Sequence, residues 1–95
     1  MDDSGFLMSS ESFEKKTKSM VPLSMLPRGK PARVVRIEGG HLLRRRLADI
    51  GIIPGKVIEV AHGWGGGPRV VIVDGAKIVL GRGMLHKIIV EACNP

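Results

Sequence analysis

Aromatic residues are scarce in this 95-residue chain: two Phe, one Trp and no Tyr. Proteins that hold single-stranded nucleic acid stack bases on aromatic faces, so Trp64 alone gives that role thin support. Phe6 and Phe13 lie outside the part that reads as folded. Cysteine is nearly absent as well. The single Cys93 excludes an intramolecular disulfide and a cysteine-rich zinc site. It reads as a bystander thiol and fits a reducing cytoplasm. No apolar run approaches the roughly 18–20 residues that span a bilayer. The opening MDDSGFLMSSESFEKK begins with acids and has no apolar h-region, so it does not read as a secretory signal.

The usual signs of catalysis and cofactor binding are missing too. HGWGGGPR, at 62–69, superficially resembles a phosphate-binding loop. It runs into another strand instead of a helix and lacks the Lys-Ser/Thr pair. A dinucleotide fold needs βαβ units, for which there is no room. His41, His62, His86 and Cys93 show neither His-x-x-x-His nor Cys-x-x-Cys spacing, so no metal ligand is nominated. There are no paired carboxylates in helical register and no nucleophile with an evident base. No catalytic residue, cofactor or small-molecule substrate is expected, and the chain is not read as an enzyme.

What is present is aliphatic and basic. The composition is 43% hydrophobic and 3% aromatic, so the core is built from Val, Ile and Leu, which favours strands. Residues 1–19 hold four acids and three bases, a net of −1, while residues 20–95 hold twelve bases and five acids, a net of +7. The folded part carries the whole positive field. An acidic protein, an anionic membrane face or nucleic acid would answer it.

Residues 1–19 are Ser-rich, charged and without sustained periodicity, so they read as a flexible N-terminal extension to a domain over 20–95. Leu23 to Leu26 is too short to stand as a helix alone. Five strands are expected: Ala32 to Ile37, Val57 to His62, Arg69 to Val73, Ala76 to Leu80 and Lys87 to Glu91. Asp74-Gly75 is a hairpin turn. Alternation places Ile58 and Val60, Ile78 and Leu80, and Ile88 and Val90 inside. Five short strands with one helix suggest a small barrel or rolled sheet, mainly β.

The helix is expected at His41 to Ile50, with Leu43, Leu47 and Ile50 on one face. Gly51 stands where helices end with positive φ, Pro54 blocks continuation, and Pro54-Gly55 makes a turn. Arg44 and Arg45 point away from the apolar stripe. They form either a solvated face or a docking patch for an acidic surface. Arg45 can pair with Asp49 at i+4. Arg46 projects beside the stripe, between Leu42 and Ile50. Trp64 is either an exposed contact residue on a Gly-rich tip or a cap on the barrel.

Three segments carry a family resemblance. RLADIGIIPGKVIEV resembles the signature of the FeoA family, small cytoplasmic proteins of bacterial ferrous iron transport. PLSMLPRGKPARVVRIEGG resembles the family's opening segment, and VDGAKIVLGRGMLHKIIV its closing hairpin. The resemblance runs from about Val21 to Glu91 and implies an SH3-like barrel of five strands with one inserted short α-helix. Arg46, Leu47, Gly51, Pro54 and Gly55 match the family signature, and Arg46 is expected to tie the helix to the barrel. The implied role is regulation of FeoB, the membrane ferrous iron transporter with a GTPase domain, by protein contact in the cytoplasm, at or near the membrane's inner face. The candidate contact residues, Arg44, Arg45 and Trp64, come from the residue reading above. The rival reading is a basic β-barrel that binds nucleic acid or regulates transcription. Similar domains end metal-dependent repressors, where a separate helix-turn-helix binds DNA, and this chain has no room for one.

Overall fold

Short runs of β-branched residues, punctuated by Gly and Pro, produce six strands and two α-helices among the described residues. The computed structural model describes residues 20–63 and 66–93; the extension 1–19 and Trp64 lie outside them. In order they are β1 (Met20–Pro22), a 3-10 turn (Leu23–Met25), β2 (Pro31–Ile37), α1 (His41–Asp49), β3 (Val57–Gly63), β4 (Arg69–Val73), β5 (Ala76–Leu80), α2 (Arg82–Leu85) and β6 (Ile88–Ala92). The strands form one antiparallel sheet in the order β1-β6-β2-β3-β4-β5.

The sheet is rolled. Val34, Ile58, Val60, Val71, Leu80, Ile88 and Val90, from five different strands, meet in one buried cluster with Leu23 and Leu26 of the 3-10 segment. Strands about 4.8 Å apart could not bring these side chains together in a flat sheet. The expected inward faces of β3 and β6 are buried; on β5, Leu80 is buried and Ile78 packs against the cluster. The strand count differs from expectation: six, not five. Met20–Pro22 is too short to show alternation, and Pro22 hides it further. Because β1 lies at the sheet's edge, pairing with β6, a residue without an N–H is tolerated there.

Two bulges set which side chains face inward. Between Val34 and Arg36 the β2–β6 register shifts. Strict alternation after Ala32 and Val34 would bury Arg36; the extra residue turns Arg36 out and Ile37 in. A second shift between Val60 and His62 does the same on β3. His62 shares the parity of Ile58 and Val60 yet is exposed.

Helix α1 has nine residues and no side-chain cap at its start, so alone it would be marginal. It ends one residue earlier than expected, at Asp49. Ile50 is the cap residue and is 38% exposed. The chain then reverses through Gly51, at φ +91°. The Gly51 N–H donates to Ala48 O at 2.9 Å and the Ile52 N–H to Leu47 O at 2.9 Å, a Schellman motif. The reversal folds Ile52 back beside Leu47, and both are fully buried. Burial of each contributes about 1.5–3 kcal/mol, enough to hold a short uncapped helix on the barrel. Ile52, rather than Ile50, completes the apolar face.

A tight turn follows. Lys56 N–H donates to Ile53 O at 3.0 Å, with Pro54 and Gly55 central and Gly55 at φ +96°, the geometry of a type II turn. Gly55 N–H donates to Val34 O, and Val34 N–H to Lys56 O, both at 2.8 Å. These bonds attach the turn to β2.

Gly51→Ala would force an alanine into the left-handed region and set its Cβ 3.2 Å from Val73 Cγ1. Urea unfolding should show a loss of about 1–2 kcal/mol. An unchanged midpoint would mean that this turn does not hold the helix.

Candidate interaction surface

All three arginines of α1 are exposed, and among the described residues none of their side chains takes part in a hydrogen bond or ion pair. This corrects the expected division of the triplet. Arg46 does not tie the helix to the barrel. The buried stripe is narrow, with Leu47 inside and Leu43 half-buried against the core. Arg46 falls off its edge. It stands in the last helical turn, where a cation favours the helix dipole. Leu42 and Ile50, four residues to either side, are 73% and 38% exposed. Leu42, Arg46 and Ile50 thus form an apolar–cationic–apolar strip beside Arg44 and Arg45. Arg45 and Asp49 are not paired among the described residues.

The other signature residues are structural. Leu47 is in the core, Gly51 closes the helix, and Pro54-Gly55 attach the following turn to β2. Lys56 Nζ reaches both carboxylate oxygens of Asp74 at 3.0 Å. That pair links the turn after the helix to the β4–β5 hairpin, where Asp74 and Gly75 both have positive φ. Partly exposed, it contributes at most about 1 kcal/mol.

Sequence reasoning missed a polar cluster at the opposite end of β4. Arg69 Nη1 donates to Leu26 O, and to Leu23 O at 3.4 Å, so its guanidinium clamps the 3-10 turn to the barrel. Ser24 Oγ lies 3.0 Å from His86 Nδ1. Arg82 Nε donates to His86 Nε2 at 3.3 Å. An arginine can only donate; these partners therefore assign the imidazole proton to Nδ1, which donates to Ser24. No sequence spacing signals a contact between residues 62 apart. Among the described residues no group of three or more His, Cys, Asp or Glu side chains could hold a metal ion, and no helix is long and apolar enough to cross a membrane.

The fold and surface define a class: a small SH3-like barrel with one tightly capped helix. A family model described as the FeoA domain matches residues 21–92. The chain is 33% identical over 72 residues to the "Putative Fe(2+) transport protein A" of Methanocaldococcus jannaschii, covering 76% of this chain and 87% of that protein. A crystal structure of an iron uptake regulatory protein, FeoA, superposes with a TM-score of 0.74 at 34% identity, over 78% of this chain and 99% of the other. The solution structure of iron(II) transport protein A from Clostridium thermocellum gives 0.71 at 33%, over 76% and 45%. A manganese-dependent transcriptional repressor gives 0.72 at 25%, over 78% of this chain but 37% of the repressor. This chain belongs to the FeoA family of ferrous iron transport proteins.

Arg69→Ala removes a clamp that bonds two carbonyls. The cost should be about 1.5–3 kcal/mol in urea unfolding. Arg69→Lys should recover only part of it, because one ammonium cannot reproduce the fork. Full stability in Arg69→Ala would contradict the clamp.

Proposed function

We propose that this protein is a non-catalytic cytoplasmic accessory of ferrous iron transport, acting by protein contact on the cytosolic part of the FeoB transporter. Family membership supports the transport role. The observation that carries the contact reading is the arginine face of α1, unpaired among the described residues and flanked by exposed Leu42 and Ile50. Arginines beside apolar anchors are the composition of contact hot spots. Their charge steers encounter with an acidic surface. The helix presenting them is pinned at Gly51, so little order is lost on binding. A net charge of +7 over residues 20–95 also favours approach to the anionic inner face of the membrane, where the transporter resides.

Nucleic-acid binding is the second reading, and the repressor similarity is the observation that favours it. The matched part is 37% of the repressor, and 63% of that chain has no counterpart in the superposition. The exposed basic face of α1 carries no Phe, Tyr or Trp, the side chains that stack most strongly on bases.

A pull-down with the FeoB cytosolic region should retain the wild-type protein. Arg44→Glu/Arg45→Glu should weaken retention by about tenfold or more, because reversing two rim charges slows encounter and adds repulsion. A wild type that is never retained sinks the transporter reading. Tight, salt-sensitive binding to random RNA or DNA would favour the second one.

A further inference from the structure

The Arg82 cluster is built in a way that its local contacts do not explain. The 3-10 turn, the end of the β3–β4 loop and α2 enclose a cleft of about 200 Å³ lined by Ser24, Met25, Gly66, Gly67, Arg69, Arg82 and His86. None of these is a carboxylate. Ser24 orients His86, and His86 in turn accepts the Nε–H of Arg82. Binding a neutral imidazole at 3.3 Å gives an exposed guanidinium little stability, while holding it still removes much of its rotamer freedom. The effect is to aim it. Its Nη1 lies 4.0 Å from where a Cβ on Gly66 would stand, so the guanidinium extends over the glycine loop. Among the described residues its η nitrogens make no hydrogen bond, since its bond to His86 uses Nε.

We infer that this cleft binds the carboxylate of an acidic residue on a partner protein, with the oxyanion on Arg82 and the aliphatic stem against Met25. Met25 is 69% exposed, an apolar wall suited to a glutamate stem. The cleft is smaller than the roughly 300 Å³ and more that small-molecule sites require, and it matches a single side chain. Arg69 has already given Nη1 to two carbonyl oxygens. Among the described residues that leaves Arg82 as the lining guanidinium with both η nitrogens unengaged, and one such fork matches the two oxygens of a carboxylate. The site is distinct from the arginine face of α1, and its test contains no transporter component, so either reading can fail alone.

The test is an NMR titration of the full chain with a hexaglutamate peptide. The amides of Ser24, Met25, Gly66 and Gly67 and the His86 ring should shift and saturate. Arg82→Gln should weaken binding about five- to tenfold, the loss of one charge-assisted pair, whereas Arg44→Glu/Arg45→Glu should leave those shifts in place. Shifts confined to residues 44–46, or an Arg82→Gln protein that binds like wild type, overturn the assignment. Inorganic phosphate binding more tightly at the same amides would replace the carboxylate with a phosphate. Asp2→Asn/Asp3→Asn/Glu11→Gln/Glu14→Gln removes the acids of the chain's own head. If it moves these amides with no peptide present, the cleft is filled by that head and the partner assignment fails.

Discussion

Two backbone hydrogen bonds around Gly51 hold the arginine face in place. Helix α1 has nine residues and starts without a side-chain cap, so neither its length nor its N-terminus stabilises it. Its C-terminus does. The bonds to Leu47 O and Ala48 O satisfy carbonyls that a helix end leaves open, and they turn the chain so that Ile52 packs where another helical turn would have continued. A residue with a side chain would meet both backbone strain and the β4–β5 hairpin at Val73 and Asp74. Helix, turn and hairpin therefore depend on one position. Loss of the glycine would free the helix that carries Arg44, Arg45 and Arg46.

Much of the fold was legible because its punctuation is strong. The bounds of β4 and β5 agree with expectation since Asp74-Gly75 adopts the two positive φ values of a tight hairpin turn. The bulges in β2 and β3 were not legible. A bulge is a mismatch between two strands, and each strand alone only shows alternation. The exposed side chain of His62 depends on one. Strand β1 was hidden because three residues give no period, and its ladder partner lies at the far end of the chain, where Met20 faces Glu91.

The candidate surfaces divide in the same way. The helix arginines are a local feature and could be read from spacing, apart from Arg46. Its position depended on where the helix stops: an end at Asp49 makes Ile50 a cap residue, not a core residue, and leaves Arg46 on the solvent edge. The Ser24–His86–Arg82 cluster and the Arg69 clamp join segments over 40 residues apart. Only the rolled sheet brings them together. The face of α1 and the cleft at α2 are each oriented by hydrogen bonds that belong to the fold.

A pre-set arginine surface requires α1 and the barrel to be one cooperative unit. Native-state hydrogen exchange of the Gly51 and Ile52 amides measures this directly. If the capping bonds lock the helix to the core, both protons exchange only through global unfolding, with the same opening free energy as the buried strands β3 and β6. Exchange through a local opening several kcal/mol cheaper, with the strands still protected, would show the helix fraying on its own and would contradict a pre-set arginine surface.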